Sequence, residues 1–286
     1  MIGRHQSERR PLDDRDFRRL AALIHDRSGI RMPPSKKTFL EGRMRRHMRR
    51  RGFGELAEYC RWLFSEGGLA EDEDALIDAV TTNKTEFFRE RHHFDFLAAS
   101  ALPALGAQGS GTERPLRIWS AGCSNGAEPY SLAMVCADFA GDAAGFRFEI
   151  LASDISTAML RQAMRAVYPA AAIAPVPLAQ RKRYLLRDDA NDEVRIAPEL
   201  RRTVRFVHHN LMNAPYPAHL STDIVVCRNL LIYFDRATQR DVLNRLCRHV
   251  RPGGYLILGH SEGVVGLTLP LRAVAPTTFR REAAAG

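Results

Sequence analysis

Between residues 115 and 260 five short apolar runs, "RIWSAG", "FRFEILASD", "VRFVHHN", "DIVVCRN" and "GYLILGH", alternate with stretches of helical periodicity. Strands separated by helix-length segments cannot pair as hairpins. They pair through crossovers, which predicts a doubly wound α/β body with a parallel sheet covered on both faces. The chain has 286 residues, more than such a sheet needs, and its front has a different texture. "DDRDFRRLAALIHDRSGI" has an acidic start, apolar residues at Phe17, Leu20, Leu23 and Ile24, and a glycine stop, the pattern of one amphipathic helix. Further helices are expected after "PPS", near "FGELAEYCRWLF" and near "DEDALIDAVT". The expected organisation is an all-helical domain at 1–85, a linker helix and loop at 86–114, and an α/β domain at 115–286. The loop is placed at "ALGAQGSGTERP", which lacks periodicity. The proline-bearing stretch from about 168 to 203 interrupts two expected core strands and predicts a separate excursion from the sheet.

Charge is polarised along the chain. The formal net charge is +9, and residues 1–60 carry sixteen Lys/Arg against eight Asp/Glu. A basic front module of this kind implies an acidic partner. No apolar run approaches the about 18 residues of a membrane span, and "MIGRHQSERRPLDDRD" lacks the apolar core of a signal peptide. The expectation is a cytoplasmic protein with no membrane insertion. Five cysteines, at 60, 123, 136, 227 and 247, are scattered and odd in number, with no CxxC spacing. They read as reduced, mostly buried thiols. The histidine pairs 92/93 and 208/209 are neighbours, not ligands at metal spacing, so no metal is expected.

In an open α/β sheet, ligands bind beyond the carboxyl ends of the strands, where a glycine turn admits the ligand to the backbone and the next helix offers N–H groups. "GCSNG" sits there, with Gly122 and Gly126 in a G-x-x-x-G spacing that matches neither the dinucleotide fingerprint nor a phosphate loop. The next run ends in "LASD", so Asp154 is placed to accept both ribose hydroxyls. It follows Gly122 by 32 residues, against the dinucleotide norm of about 20, and the loop "AGDAAG" absorbs the difference. A nucleoside without pyrophosphate but with a small zwitterion describes S-adenosylmethionine, and the body resembles a class I, Rossmann-like methyltransferase. A purely structural glycine turn is the alternative reading of the loop alone.

The chain also carries, in order, "TTNKTEFFRE", "AEPYSLAM", "ASDIS", "CRNLLIYFD" and "GGYLILGHSEG". Together these closely resemble the bacterial chemotaxis receptor methyltransferase (CheR) family, over nearly the whole chain. The resemblance implies a small helical domain joined to an S-adenosylmethionine-binding α/β domain with an inserted β-subdomain. It implies methyl transfer to glutamate carboxylates of methyl-accepting chemoreceptors, giving methyl esters and S-adenosylhomocysteine for sensory adaptation. By the same resemblance Asn83, Thr85, Arg89 and Gly122 line the cofactor pocket, with Arg89 near the methionine end. Glu128 and Asp154 contact the cofactor, Asn210 and Leu211 sit beside the adenine, and Arg228 and Asn229 lie at the reacting centre with Tyr233 next to the methyl. Arg89, Asn229 and Tyr233 are the expected catalytic set. Alone, each has an ordinary reading: Arg89 as a surface arginine, Glu128 as a first-turn acid, Tyr233 as core filler.

Within "SKKTFLEGRMRRHMRRRG", Arg43, Arg46 and Arg50 share a helical face beside a Leu40, Met44 and Met48 stripe. The resemblance gives this face a role in docking the acidic methylation helices at the active-site mouth; a solvated basic face over a core stripe is the alternative. Some members of the family grip a receptor C-terminal pentapeptide through a glycine-rich hairpin of the β-subdomain. The corresponding "YLLRDDANDEVRI" has no glycine and carries Asp188, Asp189, Asp192 and Glu193. No such tether is therefore expected, because positive φ is costly without glycine and the carboxylates repel an acidic peptide. The chain is expected to act as a monomer. Two other classes compete: a nucleic-acid methyltransferase gripping phosphates with the basic helix, and a non-catalytic S-adenosylmethionine-binding regulator. No NPPY-type motif follows the fourth strand and Cys227 has no preceding proline, so nucleic acid is not expected as substrate.

Overall fold

The computed structural model describes residues 11–143, 145–217, 222–264, 266 and 268–282. The first ten residues of the charged start and Ala144 in "AGDAAG" lie outside them. Two compact units emerge: the residues up to Thr82 together with Tyr233–Asp235, and Asn83–Ile232 together with the residues from Arg236 onward.

The first unit contains α1 (Asp14–Ser28), α2 (Lys37–Arg50), α3 (Leu56–Ser65) and α4 (Gly68–Val80). The Asp13 side chain caps α1 by accepting from the Asp16 N–H at 2.7 Å, and Gly29 ends it at φ 73. Leu40, Met44 and Met48 are fully buried, so the apolar stripe of α2 faces the core. The fully buried Asp72 of α4 is engaged across the unit, by hydrogen bonds at Oδ2 and an ion pair at Oδ1. Its Oδ2 pairs with His47 Nε2 at 2.7 Å and accepts from the Tyr59 hydroxyl at 2.8 Å, while Oδ1 lies 3.1 Å from Arg51 Nε. A buried carboxylate is tolerated only with such partners, and this one ties α2 and α3 to α4. On the polar side of α2, Arg46 and Arg50 are exposed, while Arg43 is half-buried against the Phe39 ring, 5.1 Å from its centroid.

The second unit opens with a loop and one continuous helical stretch: α5 (His92–Phe96), a π-helical turn (Leu97–Ala101) and α6 (Leu102–Gly106). Its strands are β1 (Leu116–Ala121), β2 (Phe148–Asp154), β3 (Val167–Pro169), β4 (Leu185–Asp188), β5 (Glu193–Ile196), β6 (Val204–His208), β7 (Thr222–Cys227), β8 (Val250–Leu258), β9 (Leu271–Ala275) and β10 (Thr278–Arg281). Helices α7 (Ala127–Asp142), α8 (Thr157–Arg165) and α11 (Arg236–His249) follow β1, β2 and β7, and α9 (Leu178–Tyr184) and α10 (Pro198–Arg201) belong to the insertion. The main sheet runs β6-β2-β1-β7-β8-β10-β9. The five apolar runs of the sequence are β1, β2, β6, β7 and β8, and every pair among them is parallel. The last two strands add an antiparallel edge. From β1 the chain winds outward through β2 to β6, then returns to the other side of β1 at β7. The carboxyl ends of β1 and β7 thus flank the topological switch point, where such sheets bind ligands.

Residues 107–114, within the expected linker helix and loop of 86–114, have a partner far along the chain. Buried Asp223 accepts from Ser110 Oγ at 2.8 Å, from Arg114 Nη1 and Nη2 at 2.9 and 2.7 Å, and from the Arg117 N–H at 2.9 Å. Burial opposes the charge of Asp223, but these donors and Arg251 outweigh it and hold its pKa below the usual carboxylate range. The segment is pinned to the amino end of β7, so a composition typical of linkers does not act as one.

The stretch from about 168 to 203 forms the expected excursion. β3, β5 and β4 make a separate antiparallel sheet in that order. Its hairpin closes without glycine. Asp192 takes the left-handed conformation at φ 51, and Asp188 accepts from the Ala190 N–H at 3.2 Å and Asn191 Nδ2 at 2.9 Å. Aspartate tolerates that region because its short side chain bonds locally, which lowers the cost of positive φ that the absence of glycine implies. β4 is an edge strand on which Leu186 is 53% exposed.

Candidate active site

The site grows from the end of β1. Gly122 adopts φ 85, the left-handed region that favours glycine, and a Cβ there would stand 2.8 Å from the end of the Leu230 side chain, which would have to shift. The N–H groups of Gly122 and Cys123 donate to the Ser153 carbonyl at 2.8 and 2.9 Å, binding the loop to the end of β2. Ser124, at φ 51, then donates its N–H to Asp154 Oδ2 at 2.8 Å. The Ser156 N–H donates to Oδ1 at 2.8 Å. Asp154 is only 7% exposed, and these two bonds fix the plane of its carboxylate at the strand end. Beyond β6, the His209 N–H donates to the Asp154 carbonyl at 3.0 Å, which brings Asn210 and the buried Leu211 to the same side of the sheet. Asn83 joins through its carbonyl, which accepts from Ser124 Oγ at 3.2 Å.

A second cluster stands at the end of β7. The Arg228 side chain, 3% exposed, places Nη1 3.3 Å from Glu128 Oε2 and Nη2 3.3 Å from Glu90 Oε2, and it donates to the Arg89 carbonyl. Glu128 Oε1 accepts from Ser120 Oγ at 2.7 Å, and Glu90 Oε1 accepts from Asn229 Nδ2 at 3.0 Å. One guanidinium therefore serves two carboxylates. Burial pushes the Glu128 carboxyl above its ordinary value, against the pull of Arg228 and the Ser120 hydroxyl. Burial also opposes the charge of Glu90, but the Asn229 amide, Arg228 and the His260 backbone outweigh it and hold the pKa below the usual value. The two acids thus diverge although they share an arginine.

Arg89 differs from Arg228. Its Nη1 donates to the Lys84 carbonyl at 3.0 Å, and among the described residues no carboxylate lies within ion-pair distance of it. A half-exposed guanidinium without an acid is suited to an incoming carboxylate. Thr85 lies half-buried on the same loop. Tyr233 groups with the helical unit, where its carbonyl accepts from the Arg31 N–H at 2.9 Å and its ring lies 5.7 Å from Lys36 Nζ. Arg43, Arg46 and Arg50 also belong to that unit. All five cysteines are buried and free. Burial raises the Cys123 thiol well above its ordinary value, which leaves the loop cysteine a poor nucleophile.

Sequence reasoning missed Glu90, Ser120 and Glu262. One signal was available for the first: an arginine that directly follows the apolar run "IVVC" is buried and has to find carboxylates. Glu262 gave none, since its partners are backbone N–H groups, all but that of Gly259 30 or more residues away.

The donor set fits S-adenosylmethionine. It combines a glycine wall, an oriented carboxylate for a ribose diol, an amide and an apolar side chain beyond β6, and an arginine without an acid. Residues 83–279 match the family model for the CheR methyltransferase SAM binding domain, and residues 15–81 match that for the CheR methyltransferase all-alpha domain. The chain is 38% identical over 258 residues to the chemotaxis protein methyltransferase of Escherichia coli, covering 90% of this chain and 87% of that one. It is 37% identical over 263 residues to that of Salmonella typhimurium, with coverages of 91% and 88%. It is 34% identical over 270 residues to that of Borreliella burgdorferi, with coverages of 93% and 94%. With both of its parts matched in order and a donor set that fits the cofactor, the chain belongs to the CheR family of S-adenosylmethionine-dependent methyltransferases.

Proposed function

We propose that this protein methylates glutamate side chains on the cytoplasmic methylation helices of chemoreceptors, for sensory adaptation. The observation that carries the reading is the match of both parts of the chain to relatives named chemotaxis protein methyltransferase. Asp154 would hold the ribose, Asn210 and Leu211 the adenine, and Gly122, Asn83, Thr85 and Glu128 the remaining wall. Arg89 would clamp the methionine carboxylate, the one anionic group of the cofactor. When bound, S-adenosylmethionine supplies a sulfonium-activated methyl, and the C–S electron pair leaves with S-adenosylhomocysteine. The incoming glutamate, with an ordinary pKa of about 4.3, is already ionised at neutral pH and needs no base. Its oxygen forms the new O–CH3 bond and no proton moves. The protein's work is to align carboxylate, methyl and sulfur and to strip water from the nucleophile. Asn229 and Tyr233 are assigned to that alignment, Arg228 to holding Glu90 and Glu128 in place.

The protein is read as a cytoplasmic monomer that uses neither metal nor nucleic acid. In support of action from the aqueous side, no helix among the described residues is long and apolar enough to cross a membrane. Arg43, Arg46 and Arg50 would meet the acidic receptor helices. Incubation with labelled cofactor and receptor-enriched membranes should place base-labile label in a membrane protein; label in added RNA instead would sink the reading. In the same assay the triple variant Arg43→Glu, Arg46→Glu, Arg50→Glu is expected to lose about tenfold or more in receptor methylation, while its affinity for S-adenosylhomocysteine stays unchanged. Full methylation at physiological salt would make these arginines an ordinary solvated face.

No tether through a receptor C-terminal peptide is proposed, although the β4 edge is open. Asp188, Asp189, Asp192 and Glu193 crowd the hairpin tip with carboxylates. Titration with an acidic, aromatic-ended pentapeptide should show no saturable binding. Micromolar binding that depends on residues 188–193 would overturn this.

A further inference from the structure

Glu262 has no substrate or cofactor role in the reading above, yet its carboxylate is the most heavily engaged group near Asn229. It is buried, and five backbone N–H groups converge on it. Oε1 accepts from Leu230 at 2.7 Å and from Leu231 at 2.6 Å, with Ile232 at 3.4 Å. Oε2 accepts from Asn229 at 2.8 Å and from Gly259 at 2.7 Å. Residues 228–230 have left β7 and Leu231–Tyr233 form a single 3-10 turn, whose first N–H groups have no partner within the turn, so these donors need an outside acceptor. Space for that acceptor is provided: a Cβ at Gly259 would lie 2.6 Å from the Asn229 nitrogen and 2.8 Å from Glu262 Oε2.

The consequence is geometric. Asn229 is held at φ 57, in the left-handed region that asparagine tolerates better than most non-glycine residues, and the bonds around it fix it there. From that conformation its Nδ2 reaches Glu90 Oε1 at 3.0 Å. Across a trans peptide the N–H of one residue and the C=O of the preceding one point opposite ways. With the N–H groups of Asn229, Leu230 and Leu231 turned to Glu262, the carbonyls of Arg228, Asn229 and Leu230 face the other side of the loop. There they can receive the polarised C–H groups of a transferring methyl.

We propose that Glu262 is a positioning residue for methyl transfer: it sets the peptide planes of 229–231 and so delivers the Asn229 side chain and the loop carbonyls to the reacting centre. This rests on the methyl-transfer reading above. Carboxylate chemistry is essential, because glutamine offers one acceptor oxygen and turns an NH2 group towards N–H donors.

The test is Glu262→Gln in the full-length protein. Receptor methylation should show kcat reduced about tenfold or more, with the Kd for S-adenosylhomocysteine within about threefold of the parent, a split that general loosening of the fold does not produce. In 15N-labelled protein saturated with S-adenosylhomocysteine, the amide protons of Asn229, Leu230 and Leu231 should lie downfield and move upfield in the variant. A folded variant with parental kcat overturns the proposal, as does one that loses kcat and cofactor affinity in equal measure. If the glutamine variant does not fold, Glu262→Asp keeps the charge at shorter reach and is expected to show an intermediate kcat with cofactor affinity kept; parental kcat there overturns the proposal. Should the parent itself transfer no methyl to receptor, the substrate reading fails and the amide shifts decide for Glu262: unmoved amides in Glu262→Gln overturn it.

Discussion

Asp154→Ala is expected to weaken S-adenosylhomocysteine binding by about a hundredfold or more, measured by calorimetry on the folded variant. Two hydroxyl-to-carboxylate bonds are lost with the ribose, each contributing roughly 1.5 to 3 kcal/mol, and every 1.4 kcal/mol or so is a factor of ten. A second loss adds to the first. The Ser124 N–H donates to Oδ2 and the Ser156 N–H to Oδ1, so alanine removes the acceptors of both and leaves the glycine loop held to the end of β2 through the Ser153 carbonyl alone. Ser124 at φ 51 has little reason to stay there without its bond. Asp154→Asn separates the contributions: it keeps one acceptor oxygen and loses the charge, and should fall between parent and alanine variant. Unchanged affinity in folded Asp154→Ala would remove this residue from the ribose site.

The legible parts of the fold are those written in local pattern. β7 is buried at every position, and a strand buried on both faces reads as a continuous apolar run. That is why "DIVVC" and its four counterparts identified the parallel strands. β9 gave no such signal, since its residues are half-buried or exposed at the edge of the sheet. Helix α1 was legible at both ends because its cap residues, Asp13 and Gly29, act on backbone groups within four residues. The order of residues 107–114 was not legible, for the opposite reason. Their order comes from Asp223, more than a hundred residues away, and composition carries no trace of such a partner. The site divides along the same line. The glycine turn and strand-end acid announce themselves by position in the sheet pattern, and the motifs marked the remaining residues by resemblance. Glu90 and Glu262 act on partners that only the folded sheet brings near, and one of them binds backbone, which has no sequence identity to read.

Arg228→Met is expected to lower stability by about 3 to 5 kcal/mol at neutral pH, because it leaves the largely covered Glu90 and Glu128 side by side without the guanidinium between them. The loss should depend on pH in a definite direction. In the parent, Glu90 has a depressed pKa, so its contribution is present above the unfolded value of about 4.3 and is lost as pH falls through the folded one. Glu128 already has a raised pKa from burial, so its penalty is absent below the unfolded value and grows as pH rises through the folded one. Removing Arg228 takes away a lowering influence on both carboxyls, and both folded values rise. The gap in stability between parent and variant should therefore be small near pH 4 and widen towards pH 8, measured by urea unfolding across that range. Arg228→Lys should recover only part of the loss, since a single ammonium cannot span two carboxylates as the planar guanidinium does. Adding Glu128→Gln to the methionine variant should flatten its pH dependence, because one of the two stranded charges is gone. A gap of equal size at pH 4 and pH 8 would mean that Arg228 acts by packing against Phe94, whose ring centroid lies 5.6 Å from its guanidinium carbon, and not as the counter-charge of the two acids.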